Sequence, residues 1–136
     1  MSNTKVVAVS GVSGAGKTTI VKQLANRFDC PFLLFDDHID NNTYPKDMKS
    51  WLRSGANVSL IKTPKFVSSL ACLLSKNTKP FIFIEEPFGK ERDAMSVLID
   101  YVILLDQPME LCLARIISRH TKQTHADAIN SISSFL

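Results

Sequence analysis

The sequence predicts an α/β fold, a parallel sheet of about four strands covered on both faces by helices. Continuous apolar runs recur along the chain at Val6 to Val9, Phe32 to Phe35, Phe81 to Ile84 and Tyr101 to Leu105. They lack the alternation of half-exposed strands, which marks strands buried on both faces. Between them lie segments with apolar residues at helical spacing, and right-handed crossovers lay such helices on the faces of a parallel sheet.

The first run leads directly into Gly11 to Thr18, which read G-V-S-G-A-G-K-T and fit the G-x-x-x-x-G-K-[ST] phosphate loop. Its glycines let backbone N–H groups approach phosphate oxygens where a Cβ would obstruct them. The next segment, Lys17 to Phe28, carries Ile20, Val21, Leu24, Ala25 and Phe28 on one helical stripe. The loop therefore ends on a helix N-terminus, whose partial positive charge favours an anion. Strand, loop and helix in this order specify a three-layer P-loop NTPase fold. Gly11, Ser13, Gly14, Ala15, Gly16, Lys17, Thr18 and Thr19 form the expected nucleotide site. Lys17 is the cation for the terminal phosphates and Thr18 a hydroxyl ligand for Mg²⁺, so ATP and Mg²⁺ are the expected cofactors.

Pro31 breaks the chain after the first helix, and the second strand, Phe32 to Phe35, is closed by Asp36 and Asp37. Residues His38 to Thr63 are polar and irregular, with a short helix expected around Met48, Trp51 and Leu52. Pro64 after a Thr63 N-cap opens an amphipathic helix over Phe66, Val67, Leu70, Ala71, Leu73 and Leu74 that ends near Asn77. The third strand stops at Glu85 and Glu86. The fourth is followed by a helix from Pro108 to Arg119 with Leu111, Ala114 and Ile117 inward, and residues 127 to 136 read as a weaker helix. The whole reads as one domain over residues 1 to 136.

Composition narrows the class. A 136-residue chain with 45% hydrophobic and 21% charged residues can bury a core. The net charge of +3 is not concentrated in any basic run, so composition does not argue for a nucleic-acid or membrane surface, and neither partner is expected. Cys30, Cys72 and Cys112 show no C-x-x-C pairing and read as reduced core thiols. No apolar stretch approaches a secretory signal or a spanning helix, so a cytoplasmic location is expected.

Ligands of such sheets collect beyond the carboxyl ends of the strands, where Asp36, Asp37, Glu85 and Glu86 all fall. Asp36 is placed to accept the proton of an incoming hydroxyl; Asp37 is an alternative for that role or a reach to Mg²⁺ through water. Glu85 ends the strand beside the phosphate loop, suited to orienting metal-bound water, whereas Glu86 should point to the opposite face. Arg115 and Arg119, four apart on one helix, can close on phosphates as a lid around residues 115 to 125. Asp37, His38, Tyr44, Trp51 and Glu86 are the substrate candidates, with core packing and ring stacking both open for Trp51. Lys90 and Arg92 read as a solvated loop, and His120 and His125 as exposed.

Taken in order, several marks resemble the uridine kinase and nicotinamide riboside kinase branch of the P-loop kinases. They are the phosphate loop, Phe35-Asp36-Asp37-His38, Tyr44-Pro45-x-Asp47 with Trp51 and Gly55, Ile84-Glu85-Glu86-Pro87, Asp106-x-Pro108 and Arg115-x-x-x-Arg119. The resemblance covers roughly residues 5 to 120. It implies ATP-dependent phosphoryl transfer to a hydroxyl of a small, nucleoside-like metabolite, with Asp36 as base, Glu85 aiding metal or substrate, and Arg115 and Arg119 in the lid. Glu86 stands where that family usually has glycine. The family also continues into another helix and a fifth strand with an adenine-holding loop, so the sequence ending at Leu136 leads to an expected open adenine site or an edge completed by another subunit. A homo-oligomer formed through the fourth strand, or cover of that strand by the terminal helix, follows as an expectation. Gluconate- or adenylylsulfate-type kinases share the Gly-x-Ser-Gly-x-Gly-Lys loop and are the alternative, as is a catalytically poor nucleotide-binding or regulatory protein. No Asn-Lys-x-Asp or Asp-x-x-Gly motif of a GTPase switch is present.

Overall fold

A computed structural model of the chain describes residues 3 to 121. The elements run β1 (Lys5–Ser10), α1 (Lys17–Phe28), β2 (Phe32–Leu33), α2 (Met48–Arg53), α3 (Pro64–Lys76), β3 (Phe81–Glu85), α4 (Asp93–Ser96), β4 (Tyr101–Leu104) and α5 (Met109–His120), with 3-10 turns at Phe35–His38 and Val58–Leu60. The four strands form one parallel sheet in the order β2-β3-β1-β4.

Period-two alternation sorts the strand residues between two helix layers. Val7, Val9 and Phe83 face Val21 and Ala25 of α1, whereas Val6, Ala8, Ile82 and Ile84 face Phe66 and Leu70 of α3 together with Phe35, Ile61 and Met95. Glu85, the last residue of β3, and Glu86 just beyond it continue this alternation. The first carboxylate thus emerges on the α1 side and the second on the α3 side.

Several expectations need correction. The second strand pairs only over Phe32 and Leu33. Beyond it the chain coils, because Asp37 N–H bonds Leu34 O at 3.3 Å and the Phe35 ring turns inward against Phe66, 6.2 Å between centroids. The fourth run is paired on one side only, with β1, and Tyr101, Val102, Ile103 and Leu104 are all exposed. An apolar run of this length therefore does not require burial on both faces. Residues 127 to 136 and His125 lie outside the described residues. Cys30 and Cys112 are buried as expected, but Cys72 is exposed on α3. Thr63 precedes α3 as its N-cap residue, its carbonyl accepting from Val67 N–H at 3.1 Å, but its side chain makes no cap bond; the hydroxyl accepts instead from Arg92.

Candidate functional site

The loop between β1 and α1 closes over a local backbone turn, Ala15 N–H to Val12 O at 3.1 Å, and delivers Gly16 with φ of 100° as the α1 N-cap. Gly14, with φ of 82°, lies flat against α5: an added Cβ would overlap the Cys112 backbone, with Cys112 Cα only 3.0 Å away. The absence of a side chain lets α5 seat directly on the loop. Arg115 reinforces the seat, since its Nη1 donates to Gly14 O at 3.1 Å.

Lys17 Nζ donates to Gly11 O at 2.8 Å and Val12 O at 3.0 Å, so without phosphate the ammonium is satisfied by the loop's own carbonyls. Burial pulls its pKa below the ordinary lysine value; the carboxylates of Glu85 and Asp36 oppose the shift, and the Arg119 guanidinium adds to it. Two acids and an arginine, expected from separate stretches of sequence, therefore act on the loop lysine. Thr18 Oγ1, on the first turn of α1, donates to Glu85 Oε2. Glu85 is only 4% exposed. This pair presents adjacent hard oxygen donors, which suits Mg²⁺: that ion uses one or two protein oxygens and completes its shell with water and phosphate. No cluster of three His, Cys, Asp or Glu side chains able to form an all-protein metal site occurs among the described residues.

These groups share one cleft of about 1200 Å³ at the carboxyl ends of the strands. That exceeds a single small-ligand pocket and leaves room for two reactants. Gly11, Ser13, Gly14, Gly16, Lys17, Thr18 and Thr19 line one part, with Arg115 and Arg119 on the α5 side. Asp36, Tyr44, Phe35, Glu85, Pro87 and Phe88 line the other. The Tyr44 hydroxyl has its pKa raised by burial first and by the Asp36 charge second.

Five of the sequence candidates are absent from the cleft wall. Ala15 is buried within the loop. Asp37 is exposed next to Asp36. His38 Nδ1 donates to Leu34 O at 2.7 Å and its ring lies 4.9 Å from that of Phe66. Trp51 packs against the α3-side core while its Nε1 donates to Asn57 O at 2.9 Å, so packing is the role the structure gives it. Glu86 is fully buried and accepts both forks of Arg92, from Nε at 3.0 Å and Nη2 at 2.6 Å. Arg92 itself is 3% exposed, which overturns the solvated loop read from the sequence. Sequence reading also passed over Phe88, Asp106, Gln107, Met109 and Ser118 on the cleft wall. Of these, Asp106 alone carried a signal, as an acid two residues after β4 in the Asp106-x-Pro108 mark, though the sequence assigns it no role.

A phosphate loop on a parallel sheet, with an acid at the end of β3, another in the turn after β2 and paired arginines on the covering helix, defines a P-loop small-molecule kinase. The chain is 30% identical over 135 residues to a gluconokinase of Arabidopsis thaliana, an alignment covering 89% of this chain and 70% of that protein. The chain belongs to the gluconokinase family. Among solved structures, a sugar kinase of a Janibacter species matches with a TM-score of 0.55 at 22% identity, over 98% of this chain and 78% of that one. A candidate kinase of Chloroflexus aurantiacus matches with a TM-score of 0.57 at 21% identity, over 96% and 76%. Both show likeness of fold. No protein-family model matches the chain. No helix among the described residues is long and apolar enough to cross a membrane.

Proposed function

We propose that the chain transfers the γ-phosphoryl group of MgATP to a primary or secondary hydroxyl of a small polyhydroxy acid of the gluconate type. The observation that carries the reaction is the convergence of Lys17, the Thr18–Glu85 pair and Asp36 on one cleft. The acceptor class rests on the relative, a gluconokinase at 30% identity. The nucleoside-like acceptor drawn from the motif resemblance rests on the order of weak marks alone, and it gives way to the polyhydroxy acid on that ground.

In this reading the acceptor occupies the part of the cleft bounded by Asp36, Tyr44 and Phe88. Asp36 takes the hydroxyl proton as the oxygen forms its bond to the γ-phosphorus and the bond to the β–γ bridging oxygen breaks, releasing ADP. Lys17 leaves its loop carbonyls for the phosphate oxygens, which are charged acceptors and give the stronger bond. Arg115 and Arg119 meet the negative charge that spreads over the transferring group. Thr18 and Glu85 would hold Mg²⁺, whose chemistry there is to neutralise and orient the phosphates.

The test is ATP consumption by the full chain against gluconate, other aldonates, neutral sugars and nucleosides, with Lys17→Ala as control. Gluconate-dependent ADP release lost in Lys17→Ala is the expected result. Turnover with nucleosides and none with aldonates would return the acceptor to the uridine kinase type.

A further inference from the structure

We propose that Arg92 is a positioning residue that fixes the walls of the acceptor half of the cleft through a buried fork with Glu86. The inference rests on the phosphoryl-transfer reading above for its kinetic consequence, but its geometry is independent of it.

Arg92 adds directional polar bonds between segments that otherwise meet through the apolar cluster of Phe35, Ile61 and Ile84. Its Nε and Nη2 grip the two Glu86 oxygens, one residue beyond Glu85. Its Nη1 donates to Ile61 O at 3.0 Å and to Thr63 Oγ1 at 2.8 Å. Between those two residues, Lys62 N–H bonds Thr43 O at 2.8 Å, directly before Tyr44 on the cleft wall. The guanidinium also sits over the Phe35 ring, 5.3 Å to its centroid, and beside Phe88 at 6.0 Å. Both rings line the cleft, and Phe35 immediately precedes Asp36. One planar cation thus sets the Glu85 strand end, the Asp36 turn and the Tyr44 segment relative to one another.

Stability alone does not explain this choice. A buried ion pair is commonly matched or exceeded in stability by apolar side chains of the same volume, because desolvation offsets the attraction. A rigid fork of donors instead imposes directions, which an apolar cluster does not. The partners of the pair's side chains, Ile61 O, Thr63 Oγ1 and the rings of Phe35 and Phe88, include no residue of the phosphate loop, and Glu86 points to the face of the strand opposite its neighbour Glu85.

The experiment compares Arg92→Met, Arg92→Lys and Glu86→Gln in the full chain. Acceptor KM and kcat, the ATP dissociation constant, and acrylamide quenching of Trp51 without ligand are measured for each. Trp51 reports the loop because its Nε1 bonds Asn57 O, four residues before Ile61. Arg92→Met should lower kcat/KM for the acceptor about 10²-fold, the usual consequence of misplacing reacting groups by about 1 Å, while ATP affinity stays within about twofold. Quenching of Trp51 should rise. Arg92→Lys should recover part of the acceptor kinetics, since it keeps the charge but loses the fork. If Arg92→Met does not fold, Glu86→Gln and Arg92→Lys decide by the same split. Unchanged acceptor kinetics and quenching in variants that fold, or equal losses for ATP and acceptor, would overturn the proposal. A wild-type chain that phosphorylates no acceptor, with Trp51 still responding to Arg92→Met, would defeat the kinase reading and leave the hold on the loop standing.

Discussion

Thr18 Oγ1 hydrogen-bonds Glu85 Oε2 across 67 residues of sequence, joining the first turn of α1 to the last residue of β3. The bond exists because β1 and β3 are register neighbours, with Val9 opposite Glu85, so the strand end and the loop's exit meet on one face. It leaves a hydroxyl and a carboxylate as neighbouring oxygens where a triphosphate would end.

Glu85→Gln preserves the shape and a carbonyl acceptor for Thr18 while removing the charge. Turnover with MgATP should fall about 10- to 100-fold, the common cost of losing a group that orients a metal shell. Affinity for ATP measured with Mg²⁺ chelated should stay the same or improve, since a repelling carboxylate is gone. Weaker metal-free ATP binding in Glu85→Gln would place Glu85 in structural support of the loop.

Lys17 links binding to pH. Its lowered pKa means that between this value and 10.5 the folded free protein holds fewer protons on the group than the unfolded chain does. Rising pH through that window therefore stabilises the free fold as it weakens phosphate binding. A bound triphosphate draws the proton back. Calorimetry across a pH series entering that window, in buffers of different ionisation enthalpy, should show net proton uptake on ATP binding, absent in Lys17→Met. Equal uptake in both would assign it to another group.

Asp36 and Asp37 are adjacent, yet only Asp36 lines the cleft. Asp36→Asn should reduce kcat about 10²-fold or more, the usual worth of general-base catalysis, with ATP affinity nearly intact. Asp37→Asn should leave kcat close to wild type. The reverse pattern in steady-state kinetics would exchange the two roles.

What the sequence made legible, and what it did not, follows from how far each feature reaches along the chain. The phosphate loop and α1 are local: glycine spacing and one helical stripe fix them, and α1 spans Lys17–Phe28 as expected. The opposite directions of Glu85 and Glu86 follow from strand periodicity and hold in the structure. Arg92 was not legible, because its partners Ile61, Thr63 and Glu86 come from two segments that meet only after the chain folds back. The exposure of β4 was hidden for a similar reason. Apolar composition identifies a strand, but its place at the edge is a property of strand order.

Arg119→Ala should lower kcat more than it raises the ATP dissociation constant, because charge spreads onto the transferring oxygens only as the bond breaks. Arg115→Ala should also weaken ATP binding, since its bond to Gly14 O helps seat α5 on the loop. Identical profiles for the two variants in kcat and ATP affinity would remove this distinction.

Gly14 and Gly55 allow packing to be separated from backbone strain. Both have positive φ, 82° and 102°, where an L side chain is disfavoured. An alanine Cβ at position 55 meets nothing within 4 Å, whereas at position 14 it runs into the Cys112 backbone. Gly55→Ala should therefore cost only the conformational penalty, about 1 to 2 kcal/mol of folding stability, with kinetics unchanged. Gly14→Ala adds an overlap with main-chain atoms, which no rotamer relieves, so either the loop or α5 must move. Moving either one shifts Arg115 relative to the phosphate site. ATP affinity in Gly14→Ala should fall by about tenfold or more, since a misaimed loop loses several backbone N–H contacts of about 1 kcal/mol each. Thermal melts and calorimetry on both variants check this, and Gly14→Ala with wild-type ATP affinity would show that α5 yields to the loop without disturbing it.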